Sequence, residues 1–186
     1  MKQIAVALTG ASGAPYFLRL CQRLSAVDGV QLHLLASESG RRVLHEETDQ
    51  NWKTLSYPKA MIHNEKDVGA SLASGSVKLD ALVVAPCSMS TLSAVAYGFT
   101  EHLIHRVASV QLKERRPLIL VPRELPFSLV HLRAMTACCE AGAFILPACP
   151  SFYMKPANVM DLVDTVVDRV LDHLGIEDPA IKRWQS

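Results

Sequence analysis

A cation and a carboxylate stand side by side directly after one apolar run of the sequence. The run at residues 118–121 ends in Pro122, Arg123 and Glu124. In a parallel sheet, ligands bind at the carboxyl ends of the strands, so a charged pair placed there can bind a ligand or move a proton. Arg123 and Glu124 are therefore the first candidates for a functional site.

Small and hydroxyl-bearing residues occupy the same position after three other apolar runs. They are Gly10, Ala11 and Ser12 after the first run, Ser37 after the second, and Ser88, Met89, Ser90 and Thr91 after the third. Helix N-termini offer unpaired N–H groups and a partial positive charge, and glycine lets a ligand approach the backbone closely. We expect a phosphorylated ligand at this edge, although each serine alone could be an ordinary helix cap.

The pattern around Gly10 favours a mononucleotide over a dinucleotide. Counting G-x-G-x-x-G from Gly10 places Ser12 and Pro15 where the second and third glycines should be. The second run ends in Ser37, where an NAD site is expected to place an acidic residue for the ribose. FMN needs one phosphate site and a slot for its ring system, which this arrangement could provide.

The hydrophobic pattern predicts the elements that must position these residues. Leucine-rich or β-branched runs predict five buried strands at 4–8, 30–36, 81–85, 118–121 and 143–146. Helical spacing predicts helices at 15–27, 39–47, 88–97, 101–113, 128–141 and 158–174. This alternation predicts an α/β fold with a three-layer, doubly wound parallel sheet, Rossmann-like or flavodoxin-like. Residues 49–70 break the rhythm and are interpreted as a long connection.

Length and charge narrow the class of protein. A chain of 186 residues with 49% apolar composition is large enough for one core, so we expect residues 1–186 to form a single domain. The net charge of +1 gives no footprint for nucleic acid or for anionic membranes. The first apolar run, at residues 4–8, is too short for a secretory signal or a membrane span, and a cytoplasmic protein is expected.

The cysteines and a histidine pair do not predict a metal site. Five cysteines without C-x-x-C spacing argue against a disulfide framework and against structural zinc. His102 and His105 lie three residues apart with no evident third ligand, and they are interpreted as an ordinary helix surface.

Long motifs in the chain resemble the UbiX family of flavin prenyltransferases. They are GASG at 10–13, HEET at 45–48, PCSMSTLSA at 86–94, LIHRVASVQLKERRPLILVPRELPFSLVHL at 103–132 and PACPSFYMKP at 147–156. The likeness runs nearly end to end, and KERRPLILVPRE together with the FY-x-x-P segment is much more specific than the glycine loop.

The resemblance implies a metal-independent prenyl transfer. Reduced FMN is alkylated by dimethylallyl phosphate at the nitrogen of its central ring and then closes onto the neighbouring aromatic carbon to add a fourth ring. The product, prenylated FMN, is delivered to a UbiD-type decarboxylase. The family assembles as homododecamers with the active site between subunits. Whether the allylic donor is a monophosphate or a diphosphate stays open.

The same resemblance assigns roles to particular positions. The flavin-binding positions are matched by Gly10, Ala11, Ser12, Ser37, Ser88, Met89, Ser90, Thr91 and Arg123. The positions that hold the prenyl phosphate are matched by Tyr153 and Arg169, and other polar residues of that pocket by Arg106, Lys113 and Glu124. Trp184 matches an aromatic that can face the allyl group, while Val77 stands where many members carry an aromatic residue.

Three residues are the candidates for catalysis, namely Ser12, Glu46 and Glu124. Glu46, by its place in HEET, matches a carboxylate near the flavin that could accept the released proton, and Glu47 is the competing choice. Arg169 and Asp172 also have the spacing of a surface ion pair, which is the alternative reading of that arginine.

Two other functions stay open at this point. One is an FMN-dependent decarboxylase of the related cysteine type. The basic residues Lys113, Arg123 and Arg169 argue against this function. The other is a non-catalytic FMN carrier that delivers flavin to a decarboxylase.

Overall fold

A computed structural model gives the structure of the chain and describes residues 1–181. Six parallel strands form one sheet in the order β3-β2-β1-β4-β5-β6. The strands are β1 Lys2–Leu8, β2 Val30–Ala36, β3 Ala60–Ile62, β4 Ala81–Cys87, β5 Leu118–Pro122 and β6 Phe144–Ile145. The helices are α1 Ala14–Ser25, α2 Glu38–Thr48, α3 Met89–Tyr97, α4 Leu103–Lys113, α5 Leu129–Glu140 and α6 Val159–His173. The doubly wound α/β prediction is confirmed.

The helices form two layers because alternate side chains of each strand point to opposite faces. On β1, Ile4 and Val6 belong to one core cluster, and Ala5 and Ala7 belong to the other. The first cluster takes in side chains of α1, α2 and α6, such as Phe17. The second takes in side chains of α3, α4 and α5. The strands between these layers are mostly apolar, with His33 of β2 as a buried exception, which explains the nearly continuous hydrophobic runs in the sequence.

The connection at residues 49–70 holds a strand that the sequence pattern missed. The structure adds β3 at the edge of the sheet, paired with β2, so the prediction of five strands was wrong by one. The three residues of β3 are half-buried or exposed, because an edge strand is covered on few sides. A run of three residues within a mostly polar connection is too short to show the alternating pattern of a strand.

A partly buried chain of hydrogen bonds joins β1, β2 and the segment after β3. His33 Nε2 lies 2.7 Å from the side-chain oxygen of Gln3, and His33 Nδ1 lies 2.9 Å from His63 Nε2. Since the Gln3 oxygen can only accept, Nε2 of His33 donates and its Nδ1 accepts from His63. Burial, with a smaller effect of the neighbouring His63, lowers the pKa of His33 to about 4. Neutral His33 therefore stabilises this edge of the sheet.

This arrangement predicts acid sensitivity. Because the pKa of His33 is lower in the folded chain than its usual 6.5, the unfolded chain binds more protons, and stability falls as the pH drops from 6.5 towards 4. His33→Gln should reduce that fall by on the order of 1 kcal/mol, measured by urea unfolding at several pH values. His173→Gln, on the exposed end of α6, is the matched control. Equal pH profiles for the wild type and His33→Gln would contradict the assignment.

Candidate active site

The strand order reverses between β1 and β4, which places a crevice at the carboxyl ends of these two strands. One buried hydroxyl holds the two ends together. The side chain of Thr9, directly after β1, donates to the Pro86 carbonyl at 2.8 Å and accepts from the Ser88 N–H at 2.8 Å. The loops after β1 and β4 are therefore fixed relative to each other.

A cleft of about 650 Å³ opens at this crevice. Its lining includes Gly10, Ser37, Ser39, Glu65, Lys66, Ser88, Ser90, Thr91, Tyr97, Phe99, His102 and His105. The volume falls in the range of about 300–1,000 Å³ that is typical of cofactor sites. Five of the residues predicted to bind the ligand, Gly10, Ser37, Ser88, Ser90 and Thr91, are brought together here.

Two glycines let the loop after β1 and the start of α2 pack closely. A Cβ atom on Gly10 would lie 2.6 Å from Cβ of Ser39, and a Cβ on Gly40 would lie 2.4 Å from the Leu8 carbonyl oxygen. Neither distance is possible without movement of the backbone. The loop after β1 and the start of α2 therefore lie side by side at the cleft.

Hydroxyl groups cluster at the N-terminus of α3. The Ser88 hydroxyl accepts from the Thr91 N–H at 3.3 Å and lies 3.0 Å from the Ser90 hydroxyl. Ser37 caps α2 in the same way, accepting from the Gly40 N–H at 3.0 Å. Both residues are N-caps as well as cleft residues. Met89 differs, because its side chain is buried in the core and only its backbone can face a ligand.

The structure separates the two glutamates of the HEET motif. Glu46 pairs with Arg42 at 2.8 Å on the exposed face of α2. Glu47 reaches the loop after β1 instead, where its carboxylate accepts from the N–H groups of Gly13, at 2.9 Å, and Ala14, at 2.8 Å. It is thus Glu47, the competing choice, that contacts the loop containing Ser12, whose side chain is exposed.

Arg123 and Glu124 lie at the end of β5, as the sequence predicts. Arg123 is exposed and lies near Tyr16, in the first turn of α1. Burial raises the pKa of Tyr16, and the positive charge of Arg123 opposes this shift. The half-buried Glu124 accepts from the Leu125 N–H at 3.0 Å. The arginine is thus free to turn towards a ligand, next to a tyrosine that sequence reasoning did not identify.

Tyr153 and Arg169 lie in a second cleft, of about 320 Å³. The lining of this cleft includes Lys155 and Pro156, from the loop before α6, and four aspartates, Asp161, Asp164, Asp168 and Asp172. The second cleft shares no lining residue with the first one. Arg169 forms the ion pair with Asp172 that its spacing predicts, at 2.8 Å. The residues predicted to hold the prenyl phosphate are therefore together, but apart from the first cleft.

Lys113 does not reach either cleft. It ends α4 at the amino edge of the sheet and pairs with Glu114. Nearby, Arg116 donates to the carbonyls of Gly75, at 2.8 Å, and Val77, at 2.7 Å, so this arginine holds the segment at residues 75–77 in place. Helix α4 runs antiparallel to the strands, so its last residue must lie at the edge opposite the carboxyl ends.

Arg106 and Trp184 are the remaining residues predicted to bind the substrate. Arg106, near the start of α4, is half-buried and donates to the Ala73 carbonyl at 3.3 Å. Trp184 lies outside the described residues.

The histidine pair was wrongly interpreted as helix surface. His105 is 5% exposed, and its ring stacks on that of His102 with centroids 3.7 Å apart in the wall of the first cleft. Burial, with a smaller effect of His102, lowers the pKa of His105 to about 4. A spacing of three residues shows a shared helix face, but it does not show which face is buried.

Residues 1–181 contain neither a cluster of metal ligands nor a helix that could span a membrane. Within this range, no group of three or more His, Cys, Asp and Glu side chains is arranged to hold a metal ion. None of the helices described is both long and apolar enough to cross a bilayer.

Comparison with known proteins identifies the family. The Flavoprotein family model matches residues 1–171. The chain is 46% identical to the flavin prenyltransferase UbiX of Methanocaldococcus jannaschii over 182 residues, which cover 98% of both proteins. It is 42% identical to the UbiX of Escherichia coli K12 over 188 residues, which cover the whole of both.

Solved structures agree with the sequence comparison. AnUbiX (PadA1), in complex with FMN and dimethylallyl pyrophosphate, matches with a TM-score of 0.93 and 39% identity, covering 100% of this chain and 98% of that one. A dodecameric FMN-dependent UbiX-like decarboxylase from Escherichia coli O157:H7 matches with a TM-score of 0.93 and 39% identity, covering 99% and 100%. The cysteine decarboxylase TvaF, at 16% identity and a TM-score of 0.61, shares only the fold. The chain belongs to the Flavoprotein family and, within it, to the UbiX flavin prenyltransferases.

Proposed function

We propose that this protein transfers a dimethylallyl group from dimethylallyl phosphate to reduced FMN and so makes prenylated FMN. The observation that carries the proposal is the first cleft, where the loops after β1, β2 and β4 converge and bring Gly10, Ser37 and Ser88 to one cavity at the starts of α2 and α3. Full-length identity of 46% to a flavin prenyltransferase supports the same function.

The first cleft fits FMN. The N–H groups at the start of α3, with the hydroxyls of Ser88 and Ser90, can bind the phosphate of FMN. Gly10, which has no room for a Cβ, lets the loop carrying Ala11 and Ser12 lie against the flavin. Arg123, exposed at the end of β5, can approach the ring system from the other side. Bound FMN supplies the nucleophilic nitrogen, and the protein supplies position and charge.

The second cleft is proposed as the site of the allylic phosphate. The Arg169 guanidinium and the Tyr153 hydroxyl can donate to phosphate oxygens and stabilise the charge that grows as the allylic C–O bond breaks. Arg106 and Glu124 do not line this cleft within the chain, and they remain candidates for the prenyl-phosphate pocket only through contacts with another subunit. The AnUbiX complex contains the pyrophosphate, so either donor stays compatible with the arrangement.

The separation of the two clefts supports an active site completed between subunits. We propose a homo-oligomer, in which the second cleft of one subunit faces the first cleft of another. The similar decarboxylase from Escherichia coli O157:H7 is dodecameric. In this chain, α5 and the residues before it expose Leu125, Leu129, Val130 and Leu132, each at least 47% accessible. Apolar surface of this extent is typical of subunit contacts. Lys113, remote within the chain, would reach an active site only in such an assembly.

Glu47 is the better candidate for the proton acceptor. Its carboxylate accepts from the N–H of Gly13, in the loop that we propose to border the flavin, whereas Glu46 is ion-paired on the outer face of α2. A carboxylate next to the flavin can take the proton that leaves the nitrogen or the ring carbon.

We also propose a UbiD-type decarboxylase as the recipient of the product. A cytoplasmic location is supported by the five free cysteines, which suit a reducing compartment.

Mass spectrometry of the flavin tests the proposed function directly. After anaerobic incubation with reduced FMN and dimethylallyl phosphate, the bound flavin should gain one five-carbon prenyl unit. Glu124→Gln and Arg123→Ala should slow this gain by about tenfold or more, because each removes a charge near the reacting groups. Arg115→Ala, on an exposed turn after α4, is the control. Unchanged flavin with competent binding would support an FMN carrier instead.

The two glutamates are separated by matched variants. Glu47→Gln should lower the prenylation rate by about 100-fold, because it removes a general base, while Glu46→Gln should retain most of the activity. The rates are followed by quantifying prenylated FMN over time. A larger effect of Glu46→Gln would return the role to the residue that the HEET motif first indicated.

Close packing at Gly10 gives a prediction on cofactor binding. Gly10→Ala must push the loop away from Ser39, so the dissociation constant for FMN should rise by about tenfold or more. Quenching of flavin fluorescence measures it. Gly69→Ala, whose Cβ would lie 3.5 Å from an Asp67 oxygen, adds the same methyl group without a clash and is the control. Unchanged binding by Gly10→Ala would exclude this loop from the flavin site.

A further inference from the structure

A buried arginine lies behind the second cleft. Arg23 is 7% exposed and extends from α1 between α6 and the turn that follows α6. Its Nε donates to Asp178 at 2.7 Å, and its Nη1 pairs with Asp168 and lies 3.7 Å from Asp164. Loss of hydration alone would lower the pKa of Arg23, but hydrogen bonds to Asp178 and Asp168 outweigh this effect, and the pKa is raised. The cation is firmly charged.

The three carboxylates that face Arg23 shape the second cleft. Asp164 and Asp168 line it directly, and so does Ala180. Asp178 holds Ala180 in place, because its Oδ1 accepts from the Ala180 N–H at 2.8 Å. Its carbonyl accepts from the Ile181 N–H at 3.0 Å, and the side chain of Ile181 packs against the core. The buried Arg23 thus fixes two parts of the cleft. One is its acidic floor, formed by Asp164 and Asp168, and the other is its terminal wall, formed by residues 178–181.

Charge balance gives Arg23 a second effect on the cleft. Among the described residues, the cleft is lined by four aspartates and by two cations, Lys155 and Arg169, an arrangement that repels a phosphate unless the carboxylates are compensated. Arg19 compensates Asp164 at 2.6 Å, and Arg23 compensates Asp168 from the buried side. Neither arginine lines the cleft, so both act through the aspartates.

We infer that Arg23, through Asp168 and Asp178, is a positioning residue for the prenyl-phosphate pocket. It touches no substrate. It keeps the floor of the second cleft electrically compatible with a phosphate and keeps residues 178–181 closed against that cleft. The inference rests on the proposed function, because it takes Tyr153 and Arg169 as the phosphate-binding residues.

Asp178→Ala tests the tether without emptying a core position. The KM for dimethylallyl phosphate should rise by about tenfold, since the wall of its pocket is released, while kcat at saturating donor and the dissociation constant of FMN stay close to wild type. The inhibition constant of inorganic phosphate should rise in proportion. Glu177→Ala removes the same charge from the adjacent exposed position and is the matched control. An unchanged KM, or equal changes for Asp178→Ala and Glu177→Ala, would overturn the inference.

Arg23 itself is tested by Arg23→Lys and Arg23→Met. Arg23→Lys retains the charge but replaces the separate Nε and Nη1 donors, which reach Asp178 and Asp168, by one ammonium nitrogen, so its KM for the donor should lie between wild type and Arg23→Met. If Arg23→Met does not fold, Arg23→Lys and Asp178→Ala still decide. A KM for Arg23→Lys equal to that of wild type would contradict the bridge.

A readout without turnover separates this inference from the proposed function. Hydrogen exchange should be faster at the amides of residues 175–181 in Asp178→Ala than in wild type, and saturating inorganic phosphate should slow it in wild type only. If the wild type binds phosphate in this way but makes no prenylated FMN, the proposed function fails and the positioning role stands. If prenylation occurs but phosphate gives no protection, the positioning role fails alone.

Discussion

The junction between β1 and β4 is the constraint on which the site depends. A doubly wound sheet reverses its direction of growth at one pair of strands, and only there do two loops diverge and leave a crevice. In this chain the hydroxyl of Thr9, 1% exposed, donates to one residue of the neighbouring loop and accepts from another. A buried hydroxyl with both roles satisfied gives the junction one geometry. This fixed geometry determines where the N-termini of α1 and α3, the helices that follow these two strands, lie at the crevice.

The same constraint explains why the site is divided in the monomer. A parallel sheet collects at one edge whatever directly follows a strand, and Gly10, Ser37, Ser88 and Arg123 all do. Tyr153 follows β6 by eight residues, and Arg169 stands in the later turns of α6, which ends beside Lys2 at the start of β1. No strand end places those two residues at the crevice. If the two clefts form one active site, as we propose, assembly of subunits must bring a second cleft to the first.

The sequence predicted the helices and strands more accurately than it predicted the contacts of individual side chains. The six predicted helices and five predicted strands all exist, with ends within two residues, because buried parallel strands and amphipathic helices leave clear hydrophobic patterns. β3 was missed because three residues at a sheet edge leave no such pattern. Glu46 and Glu47 differ by about 100° around α2, and a motif alone does not fix which of them faces α1. For Lys113, the sequence gives its helix but not the edge of the sheet at which that helix ends.

The ion pair of Arg169 is compatible with phosphate binding. The arginine side chain is 60% accessible and that of Asp172 is 17% accessible, so water screens the ion pair mainly from the side of the arginine. A phosphate dianion offers the guanidinium two charge-assisted hydrogen bonds, which are stronger than one bond to a single carboxylate oxygen. In the proposed site, Asp172 would orient Arg169 before the substrate arrives and would compete weakly with a bound phosphate. The buried contacts of Arg23 have the opposite character, since a desolvated cation bound to several carboxylates cannot exchange partners at low cost. The cleft thus combines a fixed inner layer of charge with an outer arginine that is free to change its partner.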